Sequence, residues 1–406
     1  MGFSAFIIFI SSLCVNLLQL INYLTIRFIN IDIYRQINGY LQYIIYSQVV
    51  AVAEWWSHST ITFYFGDQQT LDQFGREHAF VVANHRYEVD AVFLWMIAAK
   101  TGTLGGCKAF GKRELRFVPI IGWSFMFGEY IFLARNWQRD SLNIGHGLDR
   151  LMAHQRPIML MIAAEGTRFT EQKYRTSMKF AADKGLDVHY RHHLLPRVKG
   201  FAYSVKHLKQ NYPNCAIYNL QLAFDETREV ISISNLIKGI PMNGSVYLKR
   251  IPIADVPTDS DQQTADYLYK LYQEKDDAMD YYFQHKQFPG QKQLHKPSLI
   301  PLIVLWTNFV VFGLSLAYIL FTVFTSGSVG TIIIASLLII TVFVGIYFAI
   351  RSARIAKAST YGTIEGKPHN NKKSDLKKNY LSKHLVNGNN DNILNNNHKE
   401  GKNQLG

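Results

Sequence analysis

Cysteine is scarce in this chain, with only three residues among 406, at positions 14, 107 and 215. An odd number of scattered cysteines argues against a disulfide framework, and their spacing does not suit a metal site. This usage favours a reducing, cytosol-facing environment. The adjacent histidines His192 and His193 have no carboxylate or cysteine at ligand spacing, so no metal site is predicted.

Motifs for nucleic-acid binding are also missing, although the net charge is +13. No finger, recognition helix or RNA-binding signature accompanies the charge, so no nucleic-acid partner is predicted. Residues 351–406 hold 11 Lys and Arg against 4 Asp and Glu, together with 11 Asn. This composition predicts a basic, disordered tail that is attracted to anionic membrane surfaces.

Formal charge is absent from two long apolar segments, 299–324 and 329–350. Each is long enough to cross a hydrocarbon core of ~30 Å, and the polar link between them predicts a transmembrane hairpin over 299–350. Basic residues follow the second segment immediately, at Arg351 and Arg354. The positive-inside tendency therefore places both ends of the hairpin in the cytosol.

The N-terminal segment 1–31 is apolar and carries no charge before Arg27. It lacks the basic start of a signal peptide, and Asn and Gln interrupt its apolar stretch. A polar stripe recurs at helical spacing, formed by Ser12, Asn16, Gln19 and Asn22. The stripe suits a helix that lies in one leaflet, spans the membrane or packs against other helices. We predict a membrane-embedded helix over 1–31 and a helical connector over 32–74.

Residues 75–290 alternate strand-like and helix-like segments. Apolar runs at 78–83, 158–164 and 216–224 each end at a polar residue, and helix-like patterns such as 91–99 lie between them. This alternation predicts an α/β domain whose functional residues follow strand ends. We interpret the helix-like segment 261–285 as packing surface.

The first candidate site is Asn84-His85 with Asp90, five residues after the histidine. Asp90 in the first turn of a helix can accept one imidazole N–H and leave the other nitrogen free to take a proton. No serine or cysteine partner is evident, so the pair suits a base that activates a substrate hydroxyl. The alternative is an Asp90 helix cap beside a solvent-facing His85.

The second candidate is Glu165-Gly166-Thr167-Arg168, just past another apolar run. Gly166 permits a tight turn, and the planar guanidinium of Arg168 suits a phosphate. The alternative is a surface arginine paired with Glu165 or Glu171.

Two basic turns complete the set. Lys112 and Arg113 precede an apolar segment broken by Pro119 and Gly122, and Pro196 and Arg197 end a second turn. Cations beside an apolar wall suit an amphiphile with a phosphate head and a hydrocarbon tail. Each turn, considered alone, is equally typical of a solvated basic surface.

Numbered along the chain, the four blocks are 84–90, 112–122, 165–168 and 192–197. Together they resemble the motifs of the glycerolipid acyltransferases, in the order of that family and within about 115 residues. The flanking segments 165–171, 192–197 and 271–276 resemble the animal gamma/delta branch of the 1-acylglycerol-3-phosphate (lysophosphatidate) acyltransferases. The resemblance covers residues 1–365 and predicts an α/β acyltransferase domain with a mixed sheet flanked by helices.

The resemblance implies acyl transfer from acyl-CoA to the sn-2 hydroxyl of lysophosphatidate, which gives phosphatidate and CoA. His85 would be the general base and Asp90 its partner. Substrate contacts would come from Lys112, Arg113, Glu165, Gly166, Thr167, Arg168, Pro196 and Arg197. Neither a covalent acyl-enzyme nor a cofactor is expected, since acyl-CoA is a co-substrate.

The implied location is the endoplasmic reticulum membrane, with the nuclear envelope or Golgi as alternatives. The protein would be a multi-pass integral membrane protein with its catalytic domain and tail in the cytosol.

Two other functions remain open from the sequence. One is acylation of a lysophospholipid that bears a head group, such as lysophosphatidylinositol; Arg168 favours an exposed phosphate monoester instead. The other is a non-catalytic protein that organises anionic lipid, which needs no base such as His85.

Overall fold

One mixed sheet positions the candidate residues. The computed structural model describes residues 2–134, 136–226, 230–337, 339–341 and 344. The strands are β1 (Thr60–Phe65), β2 (Ala79–Ala83), β3 (Cys107–Lys112), β4 (Ile131–Leu133), β5 (Met159–Ile162), β6 (Ala216–Phe224), β7 (Asn243–Pro252) and β8 (Gln291–His295). Their order is β4-β3-β5-β2-β6-β7-β1-β8. The first five strands in this order are mutually parallel, whereas β7 and β1 run the opposite way.

Helices cover both faces of the sheet. They are α1 (Gly2–Leu24), α2 (Ile26–Ile29), α3 (Ile31–Ala51), α4 (Gln68–Gln73), α5 (Asp90–Lys100), α6 (Ile121–Phe127), α7 (Trp137–Met152), α8 (Glu171–Asp183), α9 (Val198–Asn211), α10 (Ile233–Ile237), α11 (Asp261–His285) and α12 (Leu299–Ser326). Every residue of β2 and β6 is buried. A strand that is buried on both faces has a mostly apolar sequence, interrupted in β6 by Asn219 and Gln221, and this composition predicted both strands.

Alternate residues of β2 enter two separate cores. Val81 packs in the core that includes Phe93 of α5, whereas Phe80 packs with Leu148 of α7 and Leu268 of α11. The side-chain period of two in a strand produces this division. The predicted mixed sheet flanked by helices is confirmed.

The predicted helical connector over 32–74 is wrong at residues 60–65. That segment is β1, which pairs in parallel with β7 and antiparallel with β8. β8 in turn extends the sheet past the predicted domain end at residue 290. The run Thr60–Phe65 consists of β-branched and aromatic residues, a local strand signal that the helical prediction overlooked.

The polar stripe of α1 packs against α3. Gln48 of α3 donates to the hydroxyl of Ser12 at 3.4 Å and accepts from the neighbouring Ser11 at 2.8 Å. The Asn22 side chain donates to the backbone carbonyl of Tyr34 at 3.1 Å. The opposite side of α1 exposes apolar residues such as Leu17 and Ile21. Of the three arrangements open from the sequence, packing against another helix is therefore present.

Within the described residues, two helical segments are long and apolar enough to cross a membrane by length and composition, Ala5–Ile29 and Leu299–Ser326. The second corresponds to the predicted span 299–324. The other predicted span, 329–350, extends beyond the described residues, and the tail 351–406 lies entirely outside them. The hairpin and its orientation stay predictions.

A buried carboxylate, Glu129, joins α3 to the end of α7. Its Oε2 accepts from Arg35 Nε at 3.0 Å and contacts His154 Nε2 at 2.9 Å. Burial acts to raise the pKa of Glu129, but the hydrogen bonds from His154 and Arg35 outweigh it and lower the pKa to about 2. Ionised Glu129 therefore stabilises the folded state at neutral pH, and this contribution is lost as the pH falls from about 4.5 to about 2.

Glu129→Gln is expected to lower the free energy of unfolding by about 3 kcal/mol at pH 7, since one pKa unit corresponds to about 1.4 kcal/mol. The loss relative to the unsubstituted protein should shrink as the pH falls below 4.5. Denaturant unfolding of the detergent-solubilised protein at several pH values measures it. Glu171→Gln, which removes an exposed ion pair with Arg175, is the control. An equal loss at pH 3.5 and pH 7 would contradict this role.

Candidate active site

The candidate residues lie together at the carboxyl ends of neighbouring strands of the sheet. His85 follows β2, Lys112 ends β3 and Glu165 lies just past β5. These three strands are adjacent and parallel, so their carboxyl ends meet at the same edge. Open α/β sheets bind ligands at this edge.

Asn84 lets the chain leave the sheet at β2. Its side chain donates to the carbonyl of Leu222 at 2.9 Å and accepts from the N–H of Leu222 at 2.8 Å. The amide thus takes the place of a backbone peptide beside β6. The main chain is free to turn, and the next residue, His85, stands at the sheet edge.

His85 and Asp90 form the pair that the sequence suggested. His85 Nδ1 lies 2.9 Å from Asp90 Oδ2. The Asp90 side chain is 4% exposed and the His85 side chain 35% exposed. His85 Nε2 has no hydrogen-bond partner within the described part of the chain. The arrangement leaves one imidazole nitrogen open to a proton from outside the protein.

Asp90 does not cap its own helix. It is the first residue of α5, and its Oδ2 accepts the N–H groups of Arg86 and Tyr87 at 2.7 and 2.8 Å, as well as His85. The helix-cap alternative is therefore wrong, because the carboxylate turns back onto the 85–87 loop. Three donors on one oxygen fix the direction in which His85 points.

Glu165 is buried, and its carboxyl group contacts the backbone of two other segments. Its Oε1 accepts from the N–H of His85 at 3.2 Å and its Oε2 from the N–H of Leu194 at 3.5 Å. Burial raises the pKa of Glu165 to about 8, although these two N–H groups and the charge of Lys275 act to lower it. Both oxygens thus already accept backbone N–H groups, and a contact between Glu165 and substrate stays a prediction.

Gly166 allows the third and fourth blocks to touch. Its φ is +69°, and a Cβ built on it would lie 2.8 Å from Arg197 Nε. Arg197 also donates its N–H to the carbonyl of Ala164 at 2.7 Å, and Pro196 beside it is buried. The guanidinium of Arg197 therefore lies directly over the turn that ends β5.

Gly166→Ala is expected to displace Arg197 and to raise the KM for the acceptor, by about tenfold if one charged contact is lost. Gly185→Ala is the matched control. Its φ is +65°, with nothing within 4 Å of the added Cβ, so it shares the backbone strain of about 1 kcal/mol without the clash. Steady-state kinetics of both variants separate the two effects. Equal KM values in the two variants would show that Arg197 is not displaced.

Arg168 pairs with neither Glu165 nor Glu171. Its Nη1 lies 3.5 Å from Oε2 of Glu88, and the N–H of Ile233 donates to the other oxygen of that carboxylate at 3.2 Å. Glu171 pairs with Arg175 instead. The alternative that Arg168 is a surface arginine paired with Glu165 or Glu171 is therefore wrong, since its partner is Glu88. The long contact to a shared carboxylate holds Arg168 only loosely.

Lys112, Arg168 and Lys173 form a cationic cluster. Lys173 Nζ donates to Thr167 Oγ1 at 2.7 Å and to the carbonyl of Arg168 at 3.2 Å. Burial, followed by the nearby charges of Arg168 and Lys112, lowers the pKa of Lys173. Three cations within electrostatic range of one another, with solvent access, suit a polyvalent anion such as a phosphate.

The second block is a basic turn beside a tight apolar bend. Lys112 and Arg113 are exposed, and a 3₁₀ turn runs over Arg113–Phe117. A Cβ on Gly122 would lie 1.8 Å from the carbonyl oxygen of Leu115. Glycine therefore allows α6 to approach this turn closely and to hold it at the sheet edge.

Sequence reasoning missed Lys173 and Glu88. The available signal for Lys173 was Thr170, whose hydroxyl accepts the Lys173 N–H at 3.3 Å and so begins α8 there. Glu88 offered no such signal, because its contact with Arg168 spans 80 positions.

Among the described residues, no group of three His, Cys, Asp or Glu side chains could hold a metal ion.

Two family models and several known proteins match this chain. A family model described as Acyltransferase matches residues 64–218, and one described as Acyltransferase C-terminus matches residues 235–308. The chain is 37% identical over 372 residues to the 1-acyl-sn-glycerol-3-phosphate acyltransferase gamma of Homo sapiens, covering 89% of this chain and 94% of that protein. It is 36% identical over 359 residues to the delta enzyme of Mus musculus, covering 88% and 93%. The chain is therefore an enzyme of the 1-acyl-sn-glycerol-3-phosphate acyltransferase family.

Proposed function

We propose that this enzyme transfers an acyl group from acyl-CoA to the sn-2 hydroxyl of 1-acyl-sn-glycerol-3-phosphate, giving phosphatidate and CoA. The observation that carries the proposal is the His85–Asp90 pair at 2.9 Å, with the second imidazole nitrogen open, in a chain of this family. A base without a protein nucleophile suits transfer to a substrate hydroxyl.

His85 Nε2 takes the proton of the acceptor hydroxyl as its oxygen attacks the thioester carbonyl. The new C–O bond forms, the C–S bond breaks, and the proton leaves His85 with the departing CoA thiolate. Asp90 stabilises the transient imidazolium through Nδ1. General-base assistance of this kind contributes about 10²–10⁴-fold to a rate.

The cationic cluster binds the phosphate of the acceptor. Arg168 is the main contact, since its guanidinium matches phosphate geometry and Glu88 holds it only at 3.5 Å. Lys112 and the adjacent Arg113 add positive charge. Arg197, which lies over Gly166, extends the basic surface to the fourth block. Glu165 stabilises this part of the site through its contacts with the backbone N–H groups of His85 and Leu194.

The reaction needs neither a cofactor nor a covalent acyl-enzyme. The thiolate of CoA is already a competent leaving group, so a single displacement by an activated hydroxyl completes the transfer. The chemistry also leaves no step that calls for a redox group or a metal ion.

We place the protein in the endoplasmic reticulum membrane, with the catalytic domain in the cytosol. Support comes from the two candidate spans Ala5–Ile29 and Leu299–Ser326 and from the basic residues that follow the C-terminal apolar segments. In this position acyl-CoA reaches the site from water and the lysolipid reaches it from the bilayer.

The test is acceptor-dependent release of CoA by the purified full-length protein. With acyl-CoA and lysophosphatidate together, thiol release should match phosphatidate formation one to one. Omission of lysophosphatidate should leave only slow hydrolysis. Thiol release that does not depend on the acceptor would mean a thioesterase and would overturn the proposal.

A further inference from the structure

Lys275, on α11, is buried at the centre of the molecule although it carries a charged head group. It is 1% exposed, in a helix that the sequence suggested was packing surface. Lysine is almost never fully buried unless it is paired. The contacts of its ammonium group therefore require an explanation.

The ammonium joins the two strands beneath the candidate base. Lys275 Nζ donates to the carbonyl of Val82 on β2 at 2.8 Å and to the carbonyl of Leu220 on β6 at 2.6 Å. Val82 lies three residues before His85. Just beyond this point the two strands separate and the Asn84 side chain takes over their pairing.

Lys275 lies within electrostatic range of Glu165, another buried ionisable residue of the site. Burial lowers the pKa of Lys275 to about 7, while the negative charges of Glu165 and Glu274 act to raise it. Glu165 accepts the N–H of His85, and Lys275 donates to the carbonyl of Val82, so two buried ionisable side chains contact the same stretch of backbone. His193 also lies within range of the ammonium charge.

The next residue, Asp276, holds the fourth block in a similar way. Its carboxylate accepts the N–H groups of Arg191 and His192 at 2.6 and 2.7 Å and contacts His193 Nδ1 at 2.9 Å. Two consecutive residues of α11 thus contact the backbone of two different segments: Lys275 contacts the strand before the first block, and Asp276 contacts the turn of the fourth block.

Stability alone gives little reason for a lysine at this place. Desolvation of a buried charge costs several kcal/mol, and apolar residues of similar volume often serve stability equally well. A cation that takes one carbonyl from each strand does something an apolar residue cannot do. It fixes the distance between β2 and β6 where His85 leaves the sheet.

We propose that Lys275 is a positioning residue for His85, which acts by clamping the carbonyls of Val82 and Leu220. The inference rests on the proposed function, since it concerns the geometry of the base in that reaction. A shift of about 1 Å in a reacting group can lower a rate by about 10²-fold.

The test compares Lys275→Met and Lys275→Arg in the purified full-length protein. Lys275→Met should keep a cooperative thermal transition and lose about 10²-fold in kcat, with the acceptor KM unchanged within about twofold. Lys275→Arg keeps a cation and should regain part of the lost kcat. Lys249→Met is the control, because Lys249 is half-exposed and contacts only Glu274 at 3.6 Å among the described residues; it should retain the original kinetics.

Several outcomes would overturn the proposal. They are a folded Lys275→Met with undiminished kcat, a loss confined to KM, or failure of both variants to fold, since Lys275 would then be a stabilising residue only. If only Lys275→Arg folds, a lower kcat at constant KM supports the clamp and an unchanged kcat contradicts it. An unsubstituted protein without activity on lysophosphatidate would instead refute the proposed function.

Discussion

Replacing His85 with alanine is expected to lower kcat by about 10²–10⁴-fold, because the acceptor hydroxyl then loses its general base. The fold should persist, since His85 is half-exposed and its Nδ1 contact is with Asp90 alone among the described residues. Initial rates with acyl-CoA and lysophosphatidate, together with thermal unfolding, measure both effects. A His85→Ala variant that keeps near-original turnover would remove His85 from the mechanism.

A matched control for His85 exists on the surface. His189 contacts Asp187 at 3.0 Å, in a pair whose side chains are 85% and 95% exposed. His189→Ala removes the same kind of His–Asp contact and should leave the rate unchanged. A parallel loss of activity in both variants would point to a general effect of histidine removal rather than to base catalysis.

Replacing Arg168 with alanine is expected to raise the KM for lysophosphatidate by about 10- to 100-fold, since hydrogen bonds to charged groups contribute about 1.5–3 kcal/mol. The turnover number should change much less, because the phosphate contact is made in the ground state and the transition state alike. Steady-state kinetics with varied acceptor and saturating acyl-CoA separate the two parameters.

Arg175→Ala is the control for Arg168. Arg175 lies on α8, is 77% exposed and pairs with Glu171 at 3.0 Å. It changes the local charge by the same amount but should leave the acceptor KM unchanged. An original KM and kcat in Arg168→Ala, or equal KM increases in both arginine variants, would exclude Arg168 as the specific phosphate contact.

Local patterns were sufficient to predict the parts of the site that depend on strand ends. The run before Asn84 predicted β2, and the five-residue spacing predicted that Asp90 would begin α5 and reach His85. Both are observed. These relations hold within one strand–turn–helix unit, where periodicity and turn chemistry decide the structure.

Relations across the sheet were not predictable in the same way. Glu165 accepts the N–H groups of His85 and Leu194, two long-range contacts that the sequence did not predict. The segment 261–285 was interpreted as packing surface, and no separate role was predicted for Lys275. Its partners, two strand carbonyls, become apparent only when β2, β6 and α11 are assembled.

The N-terminal region shows the same limit. The polar stripe of α1 predicted a helix with one distinct face but left its surroundings open. In the structure α3 supplies the partners, among them Gln48. The strand β1 is different, because its β-branched and aromatic run Thr60–Phe65 offered a local signal that the helical prediction missed. Only its pairing with β7 depends on residues far away in the chain.

The central claim is that His85 deprotonates the hydroxyl of an acceptor that carries an exposed phosphate monoester. The most direct test is a competition in which equal amounts of lysophosphatidate and lysophosphatidylinositol meet limiting acyl-CoA on the purified protein. The product ratio then equals the ratio of the two kcat/KM values. We expect phosphatidate to exceed phosphatidylinositol by at least about tenfold, the value of one lost charged contact at the cationic cluster. A mixture in which phosphatidylinositol is the main product would contradict the claim.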